Sequence, residues 1–220
     1  MTRADLTHIY FLLDRSGSMQ SIKTDIEGGF AAFVGEQQRA PGACQVTLAQ
    51  FDDRYDVVYS SVPVAKVPQL DLQPRGRTAL LDAMGRLMTS AGDELAARAE
   101  SERPGTVIVA VMTDGYENAS REWTHSAIKA LVEQQTEKYS WEFLYMGADQ
   151  DAIEVGASLG VVAGASVTYG RGRSRQAMAA AAEKIGKLRG DRIAHAVAFS
   201  AAPVPRMAEF TAEERDALAE

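Results

Sequence analysis

Two aspartates and three hydroxyls stand where a folded chain could gather them. Asp14-Arg15-Ser16-Gly17-Ser18 closes the first apolar run, HIYFLL, and Thr113-Asp114-Gly115 closes the most strand-like one, TVIVAVMT. Between them Thr78 follows the turn Gln73-Pro74-Arg75-Gly76-Arg77. Alternate residues of an extended loop point the same way, so Asp14, Ser16 and Ser18 address one point. Gly17 lets that loop turn tightly with both serine hydroxyls inward. Asp14, Ser16, Ser18, Thr78 and Asp114 are hard oxygen donors, with no His or Cys among them. Such a set suits Mg²⁺, Mn²⁺ or Ca²⁺ and argues against zinc or copper. Taken singly the pieces are ordinary: an Asx-type turn, a helix start at Thr78 and a turn after a strand.

The elements that must position these residues alternate along the chain. His8 to Leu13 reads as a buried strand. Ile22, Ile26, Phe30 and Phe33 recur at helical spacing and predict a helix over 20–39, ended by Pro41-Gly42. CQVTLAQF and YDVVYSSV, joined by Asp52-Asp53-Arg54, are too closely linked to be anything but antiparallel. Pro63 and Pro68 mark an edge that is not continued. Thr78 opens a helix carrying Leu81, Met84, Leu87 and Met88, and Pro104-Gly105 breaks the chain before TVIVAVMT. A helix from about Ser120 carries Trp123, Ala127, Leu131 and Val132. The strand WEFLYMG, a helix over 152–159, a weak strand over 165–169 and an Ala-rich helix over 174–188 follow. Thr211 with Glu214 fits a capping box for a short terminal helix. The pattern predicts an α/β fold: a mostly parallel central sheet with one antiparallel edge strand, and helices on both faces. In such sheets ligands lie beyond the carboxyl ends of the strands, where all five donors fall.

In this arrangement the sequence resembles the von Willebrand factor A (vWA) family. That family's metal-ion-dependent adhesion site (MIDAS) combines D-x-S-x-S, a distant threonine and a distant aspartate after an apolar strand. Here these are DRSGS at 14–18, Thr78 in RGRTALLDA and Asp114 in VMTDG. The resemblance covers roughly residues 7 to 170 and is strongest to small stand-alone bacterial members, with FLLDRSGSMQSI and WEFLYMGADQDAIEVGASLG of that type. It implies a three-layer Rossmann-like vWA fold with the metal on top of the sheet. It also implies one open coordination position, filled by an Asp or Glu of a partner protein. The expected division is a vWA domain over 1–193 and a tail with a short helix over 194–220.

The leading reading is therefore a metal-dependent protein-binding module, not an enzyme. The two aspartates balance a divalent charge, the hydroxyls leave the metal electrophilic, and no catalytic base accompanies them. The alternative is a metal-dependent hydrolase or phosphoryl-transfer enzyme on a similar sheet. Ser16 stands where a haloacid-dehalogenase-like enzyme would carry its second Asp, and P-loop, dinucleotide and nucleophile-elbow motifs are absent. Small bacterial relatives also act beside MoxR-type AAA+ ATPases, which family context adds as a third reading.

Around the centre, Asp52 and Asp53 read as turn residues, with a second, weaker cation site as the alternative. Arg75 and Arg77 either face an acidic ligand at the rim or lie in a solvated loop, and Glu117 and Asn118 belong to the same rim. Arg171, Arg173 and Arg175 read as a solvated loop. His8, His125 and His195 form no spaced cluster and read as structural.

The 220 residues, 46% hydrophobic, suit one substantial core. A net charge of -7 gives no electrostatic case for nucleic acid. The single cysteine, Cys44, builds no disulfide framework and reads as strand filler. With neither a signal peptide nor a membrane span in the sequence, the expectation is a cytoplasmic protein with no membrane partner.

Overall fold

The first apolar run is longer than its hydrophobic centre suggests. In the computed structural model, which describes residues 2–148, 150–198 and 200–219, β1 spans Arg3–Asp14. It pairs in parallel with β2 (Ala43–Phe51) on one side and β4 (Pro104–Thr113) on the other. Strands β3 (Tyr55–Pro63), β5 (Glu142–Ala148) and β6 (Ser166–Tyr169) complete a six-stranded sheet of order β3-β2-β1-β4-β5-β6. Only the β2–β3 pairing at the edge is antiparallel, as the short turn at 52–54 requires. Pro104 and Gly105 do not break the chain. They open β4, where a proline costs least because it is the first residue of the strand.

Adjacent residues of β1 show why helices cover both faces. Phe11 meets Phe30 and Phe33 edge-on, with ring centroids 5.2 and 5.3 Å away. Both belong to α1 (Lys23–Arg39). The neighbouring Tyr10 points to the opposite face, toward Glu94 of α2 (Leu80–Ala97) and Trp141. Helix α5 (Ser174–Val197) packs beside α1, while α3 (His125–Tyr139) lies next to α2 and α4 (Ala152–Ser158) next to α3. The expected three-layer Rossmann-like arrangement is the observed one.

Several boundaries differ from the sequence reading. Residues 17–22 form a 3-10 turn ahead of α1. Helix α3 starts at His125, capped by Thr124, so Trp123 precedes it. Trp123 instead covers α2 at Gly85, where an added Cβ would come within 2.2 Å of the indole. Helix α5 runs on to Val197, and residues beyond it return to the sheet. Met207, Phe210 and Leu218 are buried there, the last on α6 (Ala212–Ala219). Thr211 and Glu214 form the expected reciprocal cap, with Thr211 N–H donating to Glu214 Oε2 at 2.7 Å and Glu214 N–H to Thr211 Oγ1 at 3.2 Å. Asp149, inside the quoted segment 141–160, lies outside the described residues.

Candidate metal centre

The chain leaves β1 at Asp14 and immediately folds back on that carboxylate. Ser16 N–H donates to Asp14 Oδ1 at 2.6 Å, and Arg15 N–H donates to the Phe51 carbonyl at 2.8 Å. Ser16 then stands at the N-cap of the 3-10 turn without using its hydroxyl as a cap. Its Oγ lies 3.1 Å from Ser18 Oγ instead. Ser18 Oγ in turn donates to Asp114 Oδ1 at 2.6 Å, across 96 residues of sequence. At the end of β4, Thr113 Oγ1 donates to Asp14 Oδ2 at 2.6 Å. Asp14 and Asp114 are both buried. Burial pushes the Asp14 carboxyl up to about 6; the Thr113 and Ser16 hydrogen bonds oppose this, and the nearby Asp114 charge adds to it.

Thr78 reaches the group from the other side. It does not open a helix: α2 begins at Leu80, with Ala79 as an N-cap that has no side-chain hydrogen bond. Its backbone is instead locked to Asn118. Thr78 N–H donates to Asn118 Oδ1 at 3.1 Å, and Asn118 N–H donates to the Thr78 carbonyl at 3.0 Å. The first N–H groups of α2, which no helical carbonyl can serve, go to the 117–120 loop. Leu81 N–H donates to Glu117 Oε2 and Asp82 N–H to Ser120 Oγ, both at 3.0 Å. Asp82 returns the favour by accepting from the backbone N–H groups of Arg121, Glu122 and Trp123. Glu117 and Asn118 thus brace the centre, and Asn118 stays exposed at its edge.

Between Thr78 and Ser18 the space is kept by a missing side chain. A Cβ on Gly115 would sit 3.1 Å from Thr78 Oγ1 and 3.9 Å from Ser18 Oγ. Asp14, Ser16, Ser18, Thr78 and Asp114 therefore surround one place at the carboxyl edge of β1 and β4. Among the described residues no three His, Cys, Asp or Glu side chains gather as ligands. The cluster has two carboxylates, and the other three donors are neutral hydroxyls. Its chemistry fits a hard cation of Mg²⁺, Mn²⁺ or Ca²⁺ type.

The basic and acidic neighbours are arranged by one another. Asp52 accepts from Arg15 Nε at 2.9 Å and Arg75 Nε at 2.8 Å. Desolvation of Asp52 works against its charge, but these contacts and the Arg54 N–H hold its carboxyl below the ordinary range. Asp53 accepts from Arg77 N–H at 2.8 Å. These aspartates are turn anchors: they fasten the 73–77 loop, where Gly76, at φ +69°, accepts Gly17 N–H at 3.3 Å. Arg75 faces Asp52 and Asp56, and Arg77 donates to the Asn118 carbonyl, so neither points freely at an incoming ligand.

Sequence reasoning missed three residues. Thr113, which holds Asp14, had a signal in its position just before Asp114. Arg15, buried beside the β2–β3 turn against Asp52 and Asp56, had none. Arg171 is the third: from an exposed turn it brings Nη1 to 3.7 Å from Asp114 Oδ2 and donates to Ser21 Oγ at 3.1 Å. Tyr116, 62% exposed, stands two residues beyond Asp114 at the same edge.

Neither a protein-family model nor a curated protein matches the sequence. Solved structures do match the fold. The ArnB paralog VWA2 from Sulfolobus acidocaldarius superposes with a TM-score of 0.55 at 14% identity, over 81% of this chain and 44% of that one. The vWF domain of the type V pili tip protein Mfa5 from Porphyromonas gingivalis gives 0.56 at 11%, over 90% of this chain and 98% of that one. Proximal thread matrix protein 1 from the mussel byssus, solved with a zinc-occupied MIDAS motif, gives 0.50 at 17%, over 86% and 45%. The chain spans less than half the length of the first and last of these. At such identities the likeness is one of fold: this is a vWA-type fold.

Proposed function

We propose that the chain is a metal-dependent protein-binding module. Asp14, Ser16, Ser18, Thr78 and Asp114 would hold one divalent cation, Mg²⁺ or else Mn²⁺ or Ca²⁺, and an Asp or Glu of a partner protein would complete its coordination. The observation that carries this reading is the convergence of two buried carboxylates and three hydroxyls around the space that Gly115 leaves open. Two carboxylates match the charge of the ion and leave it attractive to a further anion. Bound there, the cation would supply Lewis acidity toward that anion. The protein's part is to fix the donors through Thr113, Asn118 and the Asp52–Arg15 pair. Among the five donors no side chain is placed as a general base, which favours capture over turnover. A cytoplasmic setting and a partner that is neither nucleic acid nor membrane belong to the same reading.

Titration of chelator-treated protein with Mg²⁺, Mn²⁺, Ca²⁺ and Zn²⁺ by calorimetry tests it. One site should appear, with Mg²⁺ or Mn²⁺ raising the melting temperature, and Asp14→Ala should abolish the binding. Partner capture from the native cell should need metal and disappear in chelator and in the Ser16→Ala/Ser18→Ala variant. Undiminished metal binding in Asp14→Ala would falsify the site.

A further inference from the structure

The turn carrying Arg171 belongs to neither of the loops that supply the donors. It follows β6, at 171–173, and crosses to the centre from the α5 side. There Arg171 Nη1 is held by Ser21 Oγ at 3.1 Å, and Ser21 Oγ itself donates to the carbonyl of Ser18 at 3.2 Å. The same guanidinium lies 3.7 Å from Asp114 Oδ2, whose side chain is fully buried, while Arg171 remains 43% exposed. Arg171 and Ser21 also line an open cleft of about 500 Å³ between residues 20–25 and 171–172. A charged group therefore stands beside the centre, in ion-pair range of one of the two carboxylates that would hold the cation.

We propose that Arg171 couples cation binding to binding of the acidic ligand. The inference rests on the metal-binding reading above and gives Arg171 a role within it. In the absence of a cation the guanidinium meets part of the Asp114 charge. A dication held by Asp114 would share that carboxylate with Arg171 and meet a like charge there, which would oppose the bare metal. An acidic ligand at the open position would relieve the conflict, because its negative charge would be attracted by both the cation and the guanidinium. Arg171 thus weakens the cation alone and strengthens the cation together with an acid. By linkage each of the two ligands raises the affinity of the other by one and the same factor. Arg171 is a specificity residue: it selects carboxylate over neutral oxygen ligands at the open position. Arg173, in the same turn, has no ion pair with the centre among the described residues and serves as the matched control for charge.

The test is Mn²⁺ binding to the full chain, with and without saturating acetate as the minimal carboxylate, followed by calorimetry and Mn²⁺ paramagnetic resonance. In the wild type, acetate should tighten Mn²⁺ severalfold. Arg171→Gln should bind bare Mn²⁺ at least about threefold more tightly and lose most of the acetate effect. Arg171→Lys should keep the bare affinity of the wild type but lose part of the acetate effect, since the fork is gone and the charge is not. Arg173→Gln should behave as the wild type. Wild-type values in Arg171→Gln, or equal changes in Arg173→Gln, would overturn the coupling and leave the metal site standing. A wild type that binds no Mn²⁺ overturns the metal-binding reading and this inference with it.

Discussion

Gly115 acts through the atom it lacks. Its bare Cα leaves Thr78 and Ser18 room to face one point. Gly115→Ala should cut Mn²⁺ affinity at least about tenfold, a loss equal to about 1.4 kcal/mol, and leave the thermal melt nearly unchanged. A melting temperature that falls with normal metal binding would count against that role. His8 acts in the middle of β1. It is buried, stacks on Tyr10 at 4.0 Å and contacts Thr47 Oγ1 at 2.9 Å. Desolvation pushes its pKa down to about 4, with Arg98 assisting and Glu94 opposing. The unfolded chain binds its proton near 6.5, so between about 6.5 and 4 the unfolded state holds more protons. Stability from this group is present above 6.5 and lost as the pH falls, by up to about 3 kcal/mol. Asp14, raised to about 6, slopes the opposite way, so the comparison is between variants. Urea melts at pH 7 and 4.5 should show His8→Asn losing less stability than the wild type. At this scale Asp14, Ser16, Ser18 and Asp114 were legible because their spacing and their places after apolar runs are both written in the chain. Arg171 was not: nothing in the sequence separates it from Arg173 and Arg175, since what distinguishes it is a contact 57 positions away from Asp114.

Helix α5 is bound to α1 by a cation that, among the described residues, has no carboxylate partner. Arg189 is 1% exposed and donates to the Gln37 carbonyl at 2.7 Å, Gln37 Oε1 at 3.0 Å, and the Ala40 and Gly42 carbonyls at 3.5 and 3.0 Å. These acceptors lie at the C-terminal end of α1, where carbonyls lack helical partners and the dipole favours positive charge. Arg189→Met would keep the apolar stem and strand the carbonyls. We expect a loss of about 3 kcal/mol or more in urea melts, since each buried acceptor left unmet costs about 1–3 kcal/mol. A loss below about 1 kcal/mol would show that water replaces the guanidinium. The same residue explains why the end of α5 was hidden in the sequence. Lys184, Arg189 and Arg192 are buried on its inner face, so the apolar period fades after Leu188 while the helix continues to Val197. Trp123 misled for the converse reason: it sits at helical spacing from Ala127 yet packs, half-buried, from a loop over Gly85. Thr78 looked like a helix start because a hydroxyl before an apolar face usually is one. Here the free N–H groups are met by Glu117 and Ser120, which no local pattern announces.

Across the molecule, the sheet has two edges, and they are finished differently. β3 ends the sheet on one side, with bulges in its pairing to β2 and Ser61 at φ +56°. The β6 side is strapped by the tail. Gly170 N–H donates to the Leu218 carbonyl at 2.8 Å, Phe210 N–H to Gly164 at 2.9 Å, and Arg215 reaches the carbonyls of Ser166 and Ala163 at 2.6 and 2.7 Å. Stopping the chain after Ser200 would remove Met207, Phe210 and Leu218 from the core. We expect a loss of about 5 kcal/mol, at about 1.5–3 kcal/mol per buried side chain, and concentration-dependent association visible by light scattering. A truncated chain that stays monomeric with an unchanged melt would show the strap to be dispensable. Sheet order and helix layers were readable from strand–helix alternation, whereas the strap was not, because short contacts from a polar tail leave no periodic trace.

The strap also sets a schedule for the chain as it is made. β1, β2 and β4 can pair as soon as they emerge, but the partners of Gly170, Gly164 and Ser166 are Leu218, Phe210 and Arg215, far downstream of β6. Until residue 218 is available, a nascent chain carries β6 with its outer edge open, beside the turn that bears Arg171. During that interval the unfinished product is open to pairing with a neighbouring chain, and slowing translation after residue 200 would lengthen it.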